Sequence, residues 1–200
     1  MDIVLMKKST LMSLFFAVAL VLAGVVSCDA SAADLTDLVS SCSSCHSAQP
    51  GKAPTAPTLA GQRPEYIENE LHAYREHDRD DKDAQVMWGV AQNLSDDEMK
   101  SLAKYYGSQP PAKGRVSSNP ALVEKGKFIY GEGRGCRDCH GSDGEGLDAI
   151  PRLAGLDRDY LAREIREFRD DVRKFETMQG NTDKMTEDDV AAVAEYLSSK

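Results

Sequence analysis

Apolar residues recur at helical spacing in two parts of the chain that lie 94 residues apart. In each part, three apolar side chains follow the spacing i, i+4 and i+7, which places them on one face of an α-helix. They are Ile67, Leu71 and Tyr74 in the first part and Leu161, Ile165 and Phe168 in the second. No stretch stands out for the strict apolar–polar alternation that is typical of a strand. The pattern therefore predicts an all-α protein that contains an internal repeat.

Each copy of the repeat ends in a further amphipathic helix. The apolar positions of these helices are Met99, Leu102, Ala103 and Tyr106 in the first copy and Val190, Val193, Ala194 and Leu197 in the second. Ser95 and Thr186 come directly before them, and both residue types cap helix N-termini. Glu98 and Asp189 follow three residues later, which predicts a capping box at the start of each helix.

The chain begins with an apolar segment of a different kind. Two lysines precede an apolar run over residues 11–26, which is shorter than the roughly 20 residues of a membrane-spanning helix. A basic start followed by such a run is typical of a secretory signal peptide. Cleavage after Ala30-Ser31-Ala32 would release a soluble exported protein, and we assign residues 1–32 to this peptide. The alternative is a lipid-anchored protein, because the residues before Cys28 resemble a lipobox.

Two C-x-x-C-H motifs lie at corresponding positions of the two copies. They are Cys42-Ser43-Ser44-Cys45-His46 and Cys136-Arg137-Asp138-Cys139-His140. Side chains three and four residues apart lie side by side on a helical turn. Two cysteines at this spacing can form thioethers with one porphyrin, and the histidine can then ligate its iron. The motifs therefore predict two covalently attached haem c groups. The attachment residues are Cys42, Cys45, Cys136 and Cys139, and the axial histidines are His46 and His140.

The same cysteines have two other interpretations. A zinc site is one, but Cys45 and Cys136 are 91 residues apart, whereas common paired-cysteine zinc sites are separated by about 15–20 residues. Two structural disulfides are the other, since exported proteins can form them. Neither interpretation explains why a histidine follows the second cysteine both times in a chain with only four histidines.

A segment without apolar periodicity separates the two copies. Residues 109–120 contain three prolines and one glycine, which predicts a linker. We therefore place one domain at 33–108 and a second at 121–200. The core of a domain this small supplies only about 3–5 kcal/mol, and a buried, tethered haem would add the apolar core that each domain lacks.

The sixth iron ligand is predicted from the repeat. Met87 and Met178 each lie seven residues before the residue that opens the last helix of their copy, in stretches that we expect to be loops. A methionine sulfur is a common haem ligand. We interpret Met99 and Met185 as packing residues, because methionine usually fills a core.

The remaining histidines are weaker candidates for the iron. His72 and His77 have Arg166 and Asp171 at the corresponding positions of the second copy, and neither of these side chains can replace a histidine ligand. We expect both histidines on solvated helix faces. Pro57 and Pro151 are expected to support the axial histidines, because a proline carbonyl can accept the Nδ1–H of an axial histidine.

The charge of the chain argues against one class of partner. The formal net charge is −9, whereas binding to nucleic acid requires a basic surface. An acidic cluster is expected to form a solvated loop. Its members are Asp78, Asp80, Asp81 and Asp83.

Taken together, these motifs resemble the cytochrome c4 family of dihaem class I cytochromes c. The resemblance rests on the duplicated C-x-x-C-H motif, a P-x-L-A-G segment at 57–61 and 151–155, the tyrosine-led helices, the paired methionines and the capped last helices. It covers nearly all of the chain after residue 32. It implies two tandem all-α class I cytochrome c domains, each around one haem with histidine and methionine ligands. There are departures: the first helix of domain one is expected to be short, from Asp34 to Ser41, and Ser47 replaces the glycine found at Gly141.

The resemblance implies a periplasmic electron carrier. Histidine and methionine on both faces of the iron leave no open position for oxygen or peroxide, so we expect electron transfer rather than catalysis. We expect it to link a quinol-oxidising cytochrome complex to a terminal oxidase. One alternative is a dedicated electron-transfer subunit of a periplasmic dehydrogenase or reductase, and another is a dihaem peroxidase-like enzyme. Membrane contact would arise only through lipidation of Cys28 or through the partner.

Overall fold

The helices of the protein form two groups, one for each copy of the repeat. The computed structural model describes residues 30–47, 56–81, 85–117 and 119–200. The first group comprises α1 (Ala30–His46), α2 (Pro64–Arg75), α3 (Val86–Ala91) and α4 (Asp96–Gly107). The second comprises α5 (Pro120–Phe128) with a π-helical extension (Ile129–Gly133), α6 (Arg137–His140), α7 (Arg158–Arg169), α8 (Glu176–Thr182) and α9 (Glu187–Ser198). Apart from one isolated bridge between Leu147 and Ile150, these residues contain no β-structure, and the all-α prediction is confirmed.

Each group encloses its own apolar core, as the periodicity predicts. The buried residues of the first core are Ile67, Leu71, Tyr74, Ala91, Leu94, Met99, Leu102, Ala103 and Tyr106. The second core contains Leu161, Ile165, Met185, Val190, Val193 and Leu197 among its buried residues. Met99 and Met185 are both buried, which confirms that they pack in the cores.

The last helix of each domain begins at a capping box. In α4 the Ser95 hydroxyl accepts a hydrogen bond from the Glu98 backbone N–H, and the Glu98 carboxylate accepts one from the Ser95 N–H. Thr186 and Asp189 exchange the same pair of bonds at α9. Both predicted caps are confirmed.

The close crossing of α5 and α9 depends on a glycine. A Cβ atom at Gly126 would lie 2.0 Å from the carbonyl oxygen of Ala192. The side chain of any other residue would therefore push the two helices apart at this point.

Two predictions about helix extent are wrong. The first helix of domain one does not end at Ser41 but continues to His46, because residues 35–46 contain no glycine or proline to end it. Met87 and Met178 lie on α3 and α8 rather than in loops. These helices have only six and seven residues, too few to show a 3.6-residue period in the sequence.

The segment between the two copies packs against both of them. The backbone N–H groups of Gly114 and Arg115 donate to the carbonyls of Lys200 and Ser198 at 2.9 and 2.8 Å. Two glycines 94 residues apart make room for it, since a Cβ at Gly61 would lie 2.5 Å from Pro111 and one at Gly155 would lie 2.5 Å from the Ala112 oxygen. Residues 35–200 accordingly form one compact unit.

A buried side-chain amide also joins the two groups of helices. The Gln62 side chain donates from Nε2 to the carbonyl of Arg152 at 2.9 Å, and its Oε1 accepts from the Arg152 backbone N–H at 2.7 Å. Gln62 is buried, so both polar atoms of its amide find partners where water does not reach.

The expectation of a solvated acidic loop is wrong for Asp81. Asp78 and Asp80 are exposed, but Asp81 is only 2% exposed. Its carboxylate accepts a hydrogen bond of 2.8 Å from Nε of the buried Arg79. A buried charge requires a partner of opposite sign. Arg79 is that partner, and its own burial accompanies a contact with Glu164, 85 residues away, which the local pattern does not indicate. Asp83 lies outside the described residues.

The assignment of a signal peptide at the start of the chain stays a prediction. Cys28 and the apolar run 11–26 lie outside the described residues. Among the helices that the structure does describe, none combines the length and the apolar character needed to cross a membrane.

Candidate haem sites

The first C-x-x-C-H motif forms the last turn of α1. The Cys42 side chain is partly buried and packs against the first core, whereas Cys45 is exposed, and both thiols are unpaired. His46 ends the helix, and its Nδ1 lies 2.7 Å from the carbonyl oxygen of Pro57. Since a carbonyl can only accept, Nδ1 carries the proton in this contact. The Nε2 atom is then left unprotonated and available to a metal.

The second motif repeats this geometry on a different backbone. Cys136 lies just before the short helix α6, and its carbonyl accepts the backbone N–H of His140 at 3.0 Å. His140 Nδ1 lies 3.0 Å from the carbonyl oxygen of Pro151. The predicted contact of each motif histidine with a proline carbonyl is therefore confirmed.

Burial keeps both histidines in the form that binds metals. Burial lowers the pKa of His46 and His140, and the carbonyl contacts with Pro57 and Pro151 oppose this shift only partly. The imidazoles are therefore neutral at neutral pH, as a metal-ligating histidine must be.

The thiols do not have the properties of a redox-active dithiol. Burial raises the pKa of Cys42 and of Cys136. Reactive C-x-x-C motifs show the opposite shift, because their chemistry requires a thiolate at neutral pH. The four cysteines of the two motifs are also free of disulfides. The described part of the chain contains no group of three or more His, Cys, Asp or Glu side chains arranged to hold a metal ion.

Two tyrosines hold the motifs in place, a role that the sequence pattern does not indicate. Tyr106 on α4 donates from its hydroxyl to the Val39 carbonyl at 3.3 Å, and the same hydroxyl lies 3.1 Å from the Ser43 hydroxyl inside the first motif. The Tyr130 hydroxyl donates to the carbonyl of Gly141, the residue after the second motif, at 2.6 Å. Both tyrosines lie at apolar positions of helices, where their hydroxyl groups give no signal in the sequence pattern.

The two candidate sixth ligands occupy similar environments. Met87 is half-buried on α3 and packs against the first core, and α3 itself packs against α2. Met178 is half-buried on α8, which packs against α7. Each methionine thus lies in the same domain as the histidine with which it is paired.

The other two histidines contact polar side chains. His72 Nδ1 lies 2.8 Å from Nη2 of Arg75. His77 is exposed, stacks on the Trp88 ring at 4.4 Å and places Nε2 2.8 Å from the Gln92 side-chain amide. The expected solvated position is therefore confirmed for His77, whereas His72 is half-buried.

The residues present therefore fit a covalently bound haem in each domain. Each motif offers two unpaired thiols within one helical turn and one neutral imidazole with a free Nε2 atom. Each domain also offers a half-buried thioether. Soft sulfur and imidazole donors of this kind are the axial ligands of cytochromes c.

Comparison with known proteins agrees with this geometry. The family model described as Cytochrome c matches residues 33–109 and 123–200. The chain is 35% identical to cytochrome c-552 of Acidithiobacillus ferridurans over 148 residues, which is 70% of this chain and 64% of that protein. It is 32% identical over 152 residues to the thiosulfate dehydrogenase electron acceptor of Stutzerimonas stutzeri, covering 70% of this chain and 69% of the relative.

A solved structure shares the fold of this chain. The structure of cytochrome c4 from Acidithiobacillus ferrooxidans superimposes with a TM-score of 0.75 at 34% identity, and the match covers 80% of this chain and 99% of that chain. The chain therefore belongs to the cytochrome c family, and within it to the dihaem electron-transfer cytochromes of the cytochrome c4 type, which carry two haem c groups.

Proposed function

We propose that each domain attaches one haem through its own C-x-x-C-H motif and ligates the iron with the histidine of that motif. Cys42 and Cys45 would form the thioethers in domain one, and Cys139 with Cys136 would do so in domain two. The observation that carries this proposal is the contact between the motif histidine and a proline carbonyl, which recurs 94 residues later at His140 and Pro151.

The proline carbonyls fix the protonation and the orientation of the two histidines. Each accepts the Nδ1 proton, which holds the imidazole plane in one orientation and raises the basicity of Nε2. When bound, each haem supplies an iron atom that takes up or releases one electron. The chain's contribution is to hold a strong nitrogen donor on one face of that iron and to keep it neutral by burial.

Met87 and Met178 are the proposed donors on the opposite faces. A thioether ligand favours ferrous iron and raises the reduction potential. A histidine and a methionine would together hold the iron of each haem, so neither domain would offer oxygen or peroxide a place to bind. This arrangement supports an electron carrier and not the peroxidase-like alternative.

The physiological role that we propose is electron transfer in the periplasm, from a quinol-oxidising cytochrome complex to a terminal oxidase. Two haems tethered in one chain can accept an electron in one domain and release it from the other. Export through residues 1–32 is part of this proposal, with or without a lipid on Cys28. Mass spectrometry of the mature protein separates these cases, because processing after Ala32 removes Cys28 and lipidation retains it.

A second role is supported by one comparison. The similarity to the thiosulfate dehydrogenase electron acceptor of Stutzerimonas stutzeri makes this chain a candidate redox partner for a periplasmic dehydrogenase. Both roles use the same haem sites and differ only in the electron donor.

Direct kinetics with the candidate donors tests the proposal. The fully oxidised protein is mixed with a reduced quinol-oxidising cytochrome complex or with a thiosulfate dehydrogenase and thiosulfate, and haem reduction is followed optically. Rapid reduction by the cytochrome complex alone supports the respiratory role, and rapid reduction by the dehydrogenase alone supports the second role. No reduction by either donor contradicts both.

A further inference from the structure

Four charged side chains form a closed ring between the two domains. Glu70 on α2 and Arg79 in the loop after α2 come from domain one. Glu164 on α7 and Arg173 in the loop after α7 come from domain two. Positive and negative groups alternate around this ring, and every guanidinium contacts both carboxylates.

Two sides of the ring cross from one domain to the other. Arg79 donates from Nη2 to both carboxylate oxygens of Glu164 at 2.9 and 3.0 Å. Arg173 donates from Nη2 to Oε1 of Glu70 at 2.5 Å. The other two sides lie within a domain, where Arg79 pairs with Glu70, and Arg173 pairs with Glu164 at 2.5 Å.

The internal repeat generates this ring. Glu70 and Glu164 are 94 residues apart, and so are Arg79 and Arg173. Each domain thus contributes one equivalent carboxylate and one equivalent guanidinium. Neither domain alone can close the ring, so the ring forms only when the two domains lie in one particular orientation relative to each other.

Aromatic rings at equivalent positions hold the two guanidinium groups. The Arg79 guanidinium carbon lies 4.9 Å from the centre of the Tyr74 ring, and that of Arg173 lies 4.7 Å from the centre of the Phe168 ring. Tyr74 and Phe168 are again 94 residues apart. Stacking of this kind fixes the plane of a guanidinium and thereby the directions of its N–H groups.

The ring is largely removed from water. The exposed fractions of the side chains are 7% for Arg79, 9% for Glu164, 13% for Arg173 and 19% for Glu70. Burial alone would lower the pKa of Arg79, but the carboxylates of Glu164 and Glu70 raise it, so the guanidinium stays charged. Asp81 accepts from Nε of Arg79, and all three nitrogens of this guanidinium therefore donate to carboxylates.

We propose that Glu70, Arg79, Glu164 and Arg173 act as a latch that selects one orientation of the two domains and so fixes the geometry between the two haems. A buried ion pair adds little net stability over apolar packing, but a partner left alone in a buried site is strongly unfavourable. Any rotation of one domain against the other breaks both crossing pairs at once. The alternatives to the observed orientation are thereby excluded, and these four side chains are positioning residues for electron transfer between domains.

The consequence for electron transfer rests on the proposed function, whereas the latch itself concerns only the described side chains. The test uses the fully reduced holoprotein, and ¹⁵N relaxation gives the rotational correlation time of each domain. The wild type is expected to show one common correlation time. Glu70→Gln and Glu164→Gln are each expected to shorten the correlation time of both domains, and to the same extent, because the two residues occupy equivalent places in the ring.

The repeat also provides matched controls. Asp96 accepts from Arg75 within domain one, and Glu187 accepts from Arg169 within domain two, both on the surface. Asp96→Asn and Glu187→Gln remove the same charge from equivalent surface pairs and are expected to keep the common correlation time.

A milder variant covers the case in which a glutamine variant does not fold. Arg173→Lys keeps the positive charge but lacks the planar fork that reaches Glu70 and Glu164 together, so it is also expected to shorten the correlation time of both domains. A correlation time as long as that of the wild type in Arg173→Lys, or in a folded Glu164→Gln, overturns the latch. The optical spectrum reports the iron ligands separately, so failure of the latch and failure of the proposed haem ligation are distinguishable.

Discussion

The guanidinium of Arg79 donates two hydrogen bonds, of 2.9 and 3.0 Å, to the carboxylate of Glu164 in the other domain. The carbonyl of the same arginine accepts a hydrogen bond of 2.7 Å from the indole of Trp88. Trp88 follows Met87, the proposed iron ligand of domain one. A single residue therefore contacts both the domain boundary and the helix that carries the candidate ligand.

Removal of one ring carboxylate is expected to destabilise the protein strongly. Glu164→Gln leaves Glu70 as the one ring carboxylate that the buried guanidiniums of Arg79 and Arg173 still share, and removal of one partner from a buried ion pair costs about 3–5 kcal/mol in the free energy of unfolding. Chemical denaturation of the holoprotein measures this difference. Asp96→Asn is the control, because loss of an exposed ion pair costs at most about 1 kcal/mol. Equal losses in both variants would show that the ring pairs behave as surface pairs.

A carboxyl group beside the ring is expected to make stability depend on pH. The pKa of Glu167 is raised to about 7, mainly by burial and further by the nearby charges of Glu164 and Asp81. The positive charges of Arg79 and Arg163 oppose this shift. The folded state therefore holds this proton more tightly than the unfolded state, in which the pKa is near 4.5. The stabilisation from Glu167 is complete below about pH 4.5 and is lost as the pH rises through about 7.

Glu167→Gln is expected to remove this dependence. Denaturation is measured at about pH 5 and at about pH 8, and the variant should lose less stability than the wild type between the two values. Glu187→Gln serves as the control, because hydrogen bonds from Arg169 and Arg166 lower the pKa of Glu187, and its titration therefore lies below this interval. If Glu167→Gln loses as much stability as the wild type between these two pH values, another group causes the pH dependence.

The crossing of α5 and α9 is expected to tolerate no side chain at Gly126. Its Cβ would meet the Ala192 oxygen at 2.0 Å, and overpacking of this kind typically costs about 1–3 kcal/mol. Thermal unfolding of Gly126→Ala measures the loss. Gly180→Ala on α8 is the matched control, since its Cβ meets nothing within 4 Å, and it should stabilise the protein by about 0.4–1 kcal/mol. An unchanged melting temperature in Gly126→Ala would contradict the crossing geometry.

The features that the sequence predicted correctly are local or periodic. The capping boxes at Ser95 and Thr186 depend on two residues three apart, and the core faces of α2 and α7 depend on regular spacing. The contacts of His46 with Pro57 and of His140 with Pro151 span only 11 residues. The motif chemistry required those contacts, so they could be anticipated before any fold was known.

The features that sequence analysis missed depend on contacts between distant parts of the chain. The acidic neighbours of Asp81 predict a solvated side chain, but Asp81 is buried with Arg79, which in turn pairs with Glu164 across the domain boundary. Short helices such as α3 escaped detection because six residues cannot show a period. The ring did leave one signal, since Glu70 and Arg79 recur as Glu164 and Arg173 at the repeat offset. Matched charges of opposite sign in two copies indicate a symmetric contact between them.

The most direct test of the central claim concerns the iron ligands. The near-infrared sulfur-to-iron band of the ferric protein is followed through an optical redox titration of the wild type, Met87→Ala and Met178→Ala. Each alanine variant is expected to lose half of the band and to lower the potential of one haem, because only one methionine ligand is removed. Met99→Leu changes a buried core methionine and is expected to keep the full band. A full band in Met87→Ala or Met178→Ala, or carbon monoxide binding by the wild type, would contradict the histidine–methionine ligation of that domain.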